Sequence, residues 1–146
     1  MENTIKLIKK FFKSNNWKYE SEVLNEHTIF RFGVDTEIVI GNLDMLICVV
    51  ESDYIVLAVL NNKAEKDKLP AVSEYLHRAN YGLKNGNFEL DYSDGEIRYK
   101  SYVNFRNSIL SDKIITESIM MPIAMFTKYG NNLLETMVTG VVAEVQ

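Results

Sequence analysis

The stretch Arg78–Lys100, RANYGLKNGNFELDYSDGEIRYK, decides how this chain folds. A helical pattern ends at Asn85-Gly86, a short alternating segment follows, Asp94-Gly95 interrupts it, and a second alternating segment returns. Phe88, Leu90 and Tyr92 alternate with Glu89 and Asp91, and Ile97, Tyr99 and Val103 alternate with Arg98 and Lys100. A period of two marks strands with one buried face. Asp-Gly between such segments signals a two-residue type I′ turn. That turn sets Asp91 opposite Arg98, Glu89 opposite Lys100, and Leu90 beside Tyr99. Each charged pair contributes about 0.2–1 kcal/mol, and together they oppose a slip of register. The polar residues of this hairpin therefore have a structural use.

Upstream, residues 68–84 read as a helix, with Leu69, Val72, Leu76, Ala79 and Leu83 on one stripe. Pro70 suits its first turn and Gly86 its C-terminal side. Residues 3–15 carry Ile5, Ile8 and Phe12 at helical spacing, and Asn15-Asn16 ends that run. Trp17 and Tyr19 alternate with Lys18 and Glu20 as a short edge segment, and residues 21–27 read as a polar connection. Residues 28–40 read as extended, ending at the turn signal Gly41-Asn42.

Residues 43–50 and 54–60 form a hairpin around Ser52-Asp53, and both are apolar at nearly every position. A sheet with one wet face shows alternation, so these strands are expected to be covered on both faces. With few helices to do it, one face is open to cover by another chain. Residues 112–142 are helical again, capped by Ser111 or Asp112, with Pro122 expected to kink or divide the helix and Gly130 to Asn132 to break it. The fold class expected is α+β: one antiparallel sheet of about five strands with helices packed on it, in the order α-β-β-β-α-β-β-α, as a single domain over residues 1–146.

The formal charge of −4 argues against nucleic acid as a partner, because phosphate binding needs concentrated Lys and Arg. Lys6, Lys9, Lys10 and Lys13 read as a solvated helix face. No apolar run reaches the length of a membrane span, and nothing resembles a signal core. Cys48 is the one cysteine, so no intrachain disulfide forms, and a cytoplasmic setting is the expectation.

The search for chemistry returns little. His27, His77, Cys48 and the scattered carboxylates lack metal spacing, and no glycine-rich phosphate loop is present. Cys48 lies in an apolar strand, where thiols are inert. Asp35 and Glu37 are the one carboxylate pair that a strand would bring to one face, and with His77 they are the only positions on which an enzyme reading rests. Catalytic residues, cofactors and metals are accordingly not expected. Met120, Met121, Met125 and Met137 concentrate in the C-terminal segment, and methionine suits surfaces that repack around partners. Tyr75, Tyr81, Tyr92, Tyr99 and Tyr102 are the residues that a ligand pocket would draw on.

The run LPAVSEYLHRANYGLKNGNFELDYSDGEIRYKSYV resembles the YbjN-domain family of bacterial proteins: Arg78 and Asn80 late in the middle helix, then Gly86, the FELD strand and the IRYK strand. The tail ESIMMPIAMFTKYGNNLLETMVTG, with Gly140 at its end, is similar to that family's C-terminal segment. The resemblance spans roughly residues 30–140, and the stretch before residue 28 does not align. It implies a fold similar to type III secretion chaperones, which are small, acidic and dimeric and hold segments of client proteins, in a family described as sensory transduction regulators. No catalytic residues come with it.

These readings converge on a non-enzymatic, chaperone-like interaction or regulatory module, acting as a homodimer on an unidentified partner protein. The alternative is a small-ligand sensor. Arg78 is expected to meet backbone carbonyls or a carboxylate such as Glu89, and Asn80 to satisfy backbone groups at the helix–hairpin junction.

Overall fold

A computed structural model describes residues 1–145. These form α1 (Glu2–Ser14), β1 (Glu20–Leu24), β2 (His27–Asp35), β3 (Asn42–Val50), β4 (Asp53–Leu60), a 3-10 turn (Lys66–Lys68), α2 (Leu69–Tyr81), β5 (Asn87–Leu90), β6 (Ile97–Asn104) and α3 (Asp112–Thr139). The strands make one antiparallel sheet in the order β1-β2-β3-β4-β6-β5.

The α+β class and the single antiparallel sheet agree with the sequence, but six strands replace about five. The extra strand is β1, taken from residues read as a polar connection. All five of its residues are exposed, so it carries no alternation to read. The turn that creates it is Asn25-Glu26, with φ of 50° and 67°. Two consecutive left-handed residues form a type I′ hairpin turn. The segment 28–40 is likewise shorter as a strand than expected. β2 stops at Asp35, and residues 36–41 turn back, with the Gly41 carbonyl accepting from Thr36 N and Oγ1.

The core lies between one face of the sheet and the three helices. β3 buries Leu43, Met45, Ile47 and Val49, and β4 buries Tyr54, Val56, Ala58 and Leu60. From α1, Phe12 stacks on Tyr19 at 4.4 Å and meets Phe32 edge-on at 4.9 Å. From α3, Phe126 meets Phe88 edge-on at 5.2 Å. Such pairs add about 0.5–1.5 kcal/mol beyond the area they bury.

α3 runs unbroken for 28 residues, against the expectation of a kink or break. Pro122 has no N–H for the Ser118 carbonyl four residues back. Ser101 Oγ on β6 donates to that carbonyl instead, at 3.2 Å. Ser118 Oγ is held in turn by Tyr54 Oη at 2.5 Å and donates to Ile115 O. The missing helical bond is thus replaced from the sheet. Gly130 does not break the helix either, because it serves close approach. A Cβ there would sit 3.1–3.2 Å from Ile38 and Ile40, which pack over it from the 36–41 turn.

The second hairpin differs by two residues from its expected register. Glu89 stands opposite Arg98, Leu90 opposite Ile97 and Phe88 opposite Tyr99. The loop is longer than a type I′ turn, with Asp91 N donating to Glu96 O at 2.9 Å and four residues between. Asp91 is spent on the loop, where its Oδ1 accepts from Ser93 N and Oγ, the usual way aspartate builds a turn. Gly95, at φ 81°, passes so close to Ala64 that a Cβ would lie 2.1 Å from its carbonyl oxygen. A shift of two preserves parity, so each side chain keeps its expected face.

Candidate interaction surface

The opposite face of the sheet carries no helix. Its residues follow from the register and lie in cross-strand rows. One row is Glu22, Ile29, Cys48, Ile55 and Tyr102. The next is Glu20, Arg31, Leu46, Leu57 and Lys100, and the third is Gly33, Asp44, Val59, Arg98 and Glu89. Val50 extends the apolar strip at one end. Ile29, Leu46, Cys48, Val50, Ile55, Leu57 and Val59 therefore form a continuous apolar patch across β2, β3 and β4. All but Ile29 remain half-buried in the isolated chain. This chain covers β3 and β4 on one face, and the second face is the one the sequence reading leaves open to another chain.

Charged side chains flank the strip. On the β1 side, Arg31 reaches Glu22 at 3.1 Å. On the β6 side, Glu89 receives Arg98 Nε at 2.7 Å and Lys100 Nζ at 3.0 Å. Burial pushes the Glu89 carboxyl up, but the hydrogen bonds from Lys100 and Arg98 and their charges outweigh this and hold it below the usual value. Gly33 leaves a notch of about 790 Å³ beside the strip, lined by Tyr19, Arg31, Asp44, Leu46 and Val59 among others.

Cys48 stands on this open face rather than in the core. Burial pushes its thiol up, and the Asp53 carboxylate adds to the effect, which disfavours the nucleophilic thiolate. Asp35 and Glu37 do not converge as a strand pair. Asp35 Oδ1 accepts from Glu37 N at 2.9 Å, and Glu37 lies beyond the strand at φ 61°. His77 is exposed on α2, beside an open recess shared with Glu74, Arg78, Tyr81 and residues 142–145. Among the described residues no group of three or more His, Cys, Asp or Glu is placed to hold a metal. No helix there is long and apolar enough to cross a membrane.

The residues singled out in the sequence separate. Arg78 is exposed and bonds Glu74 one turn back at 3.2 Å, not Glu89, whose carboxylate is held by Arg98 and Lys100 of β6. Asn80 lies at the helix–hairpin junction. Its Nδ2 donates to Phe88 O at 3.0 Å and its Oδ1 accepts from Phe88 N at 2.7 Å. It thereby acts as a strand partner on the outer edge of β5. Of the four methionines, Met137 is in the core, Met121 and Met125 pack half-buried against it, and Met120 is exposed. The tyrosines do not line one pocket. Tyr75 and Tyr99 are buried, donating to the carbonyls of Tyr129 and Asn85, while Tyr81, Tyr92 and Tyr102 are exposed. Burial, and then the neighbouring Tyr129, push both buried phenols up to about 12, so they stay neutral.

No protein-family model matches the sequence, and no curated protein is significantly similar to it. Solved structures do match in shape. One is YbjN from E. coli, described as a candidate transcription regulator, at a TM-score of 0.61 and 7% identity, covering 87% of this chain and 91% of that one. Another is an uncharacterized protein from Methanothermobacter thermautotrophicus, at 0.57 and 13%, covering 90% and 97%. At such identities the likeness concerns the fold alone. The fold of this chain is YbjN-like.

Proposed function

We propose that this chain is a non-enzymatic, chaperone-like interaction module of the regulatory kind, which works by docking another polypeptide on the uncovered face of its sheet. The observation that carries this reading is the seven-residue apolar strip of Ile29, Leu46, Cys48, Val50, Ile55, Leu57 and Val59. Contiguous exposed apolar patches rimmed by polar groups mark interaction sites, because leaving them in water forgoes about 25 cal/mol for each Å² that a partner would cover. Most charged residues sit toward the flanks, with Arg31 on β2 and Asp44 at one end of β3 beside the strip, as in the polar rim of protein interfaces. The candidate regulator label of E. coli YbjN is compatible with a module of this kind.

The test is Leu57→Lys, which places a charge in the middle of the strip. The wild-type chain is expected either to sediment above the mass of one 16.8 kDa chain or, as a monomer, to bind an apolar dye such as bis-ANS. The variant, with an unchanged circular dichroism spectrum, loses whichever property the wild type has. A wild-type monomer that binds no dye, or a property that survives Leu57→Lys, overturns the reading.

A further inference from the structure

We infer that the free edge of β1 receives an extended polypeptide segment, in which basic and apolar side chains alternate, as a further strand of the sheet. This edge is a different surface from the apolar strip, and the inference stands apart from the reading of that strip.

The sheet has two edges, and the chain treats them differently. At the β5 edge the outward N–H and C=O of Phe88 are both taken by the side chain of Asn80, and α2 packs against the strand. The β1 edge has no such partner. Asn25 and Glu26 form a two-residue turn, so Leu24 and His27 are the hydrogen-bonded pair that closes it. Bonded and non-bonded pairs alternate along an antiparallel ladder, which makes Glu22–Ile29 and Glu20–Arg31 bonded pairs as well. Ser21 and Val23 therefore turn their N–H and C=O groups away from β2. Among the described residues no other backbone group reaches them, and all of β1 is exposed. β1 holds no proline and pairs with β2 without a bulge, so two common guards of a sheet edge are missing and charge is the one that remains.

Charge decides what can pair there. Glu20 and Glu22 stand on the open side of the sheet, and Ser21 and Val23 on the helix side. Antiparallel pairing with a second copy, in the register that matches the whole strand, sets Glu22 against Glu22, which is destabilising. The neighbouring registers set Glu20 against Glu22 or leave only residues 22–24 paired. Lysine or arginine opposite Glu20 and Glu22 makes the same positions favourable. Glu20 has no ion pair among the described residues, because Arg31 reaches Glu22 instead. On the helix side, Val23 is 74% exposed beside a recess of about 540 Å³ lined by Met1, His27, Thr28 and Val50 among others. An aliphatic side chain opposite Val23 covers that surface. The fitting segment thus carries bases at alternate positions with β-branched residues between them. In strand addition of this kind, main-chain bonds give attachment and side chains give choice.

The experiment is fluorescence polarisation with the labelled peptide Lys-Val-Lys-Val-Lys, titrated with the whole chain. Laid antiparallel, its lysines fall opposite Leu24, Glu22 and Glu20, and its valines opposite Val23 and Ser21. Saturable binding is expected, with slower amide exchange at Ser21 and Val23. Methylating the two valine nitrogens removes the donors aimed at β1 and keeps the charge, and should weaken binding about tenfold or more. Val23→Pro should do the same. The Val23 N–H faces away from β2, so a proline there spares the ladder, as on natural edge strands. Circular dichroism confirms that the variant folds. Leu57→Lys, on the open face, should leave this binding unchanged.

Absence of saturable binding to the wild-type chain overturns the inference. Equal binding of the methylated peptide does so too, since charge would then act without strand pairing. Equal binding of Glu-Val-Glu-Val-Glu overturns the selection for bases. Binding that survives Val23→Pro and is lost in Leu57→Lys places the peptide on the open face, which overturns the edge and supports the docking surface.

Discussion

Ile47 and Leu46 are neighbours on the same strand, both large and aliphatic, and they meet opposite environments. Ile47 is fully buried beneath the helices, while Leu46 is half-buried on the bare side of the sheet. The contrast holds along the whole of β3 and β4, whose two faces are similarly apolar. Alternate side chains of a strand project to opposite faces, so composition alone does not say which face the helices take. Three helices suffice for one face. What distinguishes the faces chemically is their polar inventory. The covered face holds few polar groups, each partnered, with Ser101, Ser118 and Tyr54 joined at the α3 contact. The open face keeps unneutralised charge on both flanks.

The most severe way to probe this contrast is truncation of the pair itself. Ile47→Ala should cost about 2–5 kcal/mol in urea denaturation, as buried large-to-small changes do. Leu46→Ala should cost about 1 kcal/mol or less in the isolated chain and act mainly on association. Equal losses of monomer stability would erase the distinction between the faces.

Next in size is the polar contact within the covered face. Ser101→Ala leaves the Ser118 carbonyl, already without its helical partner because of Pro122, unbonded and buried. A loss of about 1–3 kcal/mol is expected. With Pro122→Ala in the background the helical N–H returns, and the same substitution should cost markedly less. A double-mutant cycle measures the difference, and strict additivity would exclude the link.

Asn80→Ala comes close behind. It strips Phe88 of the donor and the acceptor that complete the edge of β5, at about 1–2 kcal/mol. Amide hydrogen exchange should rise at Phe88 before it rises at β3.

Glu89 gives a smaller, pH-dependent signature on the open face. Its carboxyl titrates lower in the folded chain than the ordinary value of 4.5, so the unfolded chain takes up the proton first as acid is added. The stabilisation is therefore complete above that value and fades as pH falls through the lower folded value. Glu89→Gln should flatten the stability profile in that acid range, losing the increment at neutral pH and changing little below the folded value.

The smallest effect is expected at Arg78. Among the described residues its only side-chain bond is an exposed one to Glu74, so Arg78→Ala should move stability by about 0.5 kcal/mol or less. The sequence reading assigns Arg78 an anchoring contact with Glu89 or backbone carbonyls, and its exposed place on α2 removes that contact.

Much of the architecture was legible because it follows from periodicity. The amphipathic stripes of α1 and α2, the apolar runs of β3 and β4, and the alternation of β5 and β6 announce themselves in a window of a dozen residues. The misreadings share a cause, a local signal overruled by a distant partner. Asp94-Gly95 signals a two-residue turn, but Asp91 and the approach of Gly95 to Ala64 set a longer loop. Pro122 signals a helix break, but Ser101 supplies the missing bond. β1 gave no signal because an edge strand wet on both sides has no pattern to show. The docking face was half legible. Its residues are plain in the strands, but not which side of them stays open.

The order of the elements other than β1, the pairing of the central strands, and the faces of the second hairpin were determined by the sequence alone, because period and parity are local properties of the backbone. Only the tertiary structure decided which apolar face is dry, where Glu89 finds its cations, and how a proline sits unbroken in α3. Each of these depends on residues far apart in the chain, and packing, not propensity, brings them within reach.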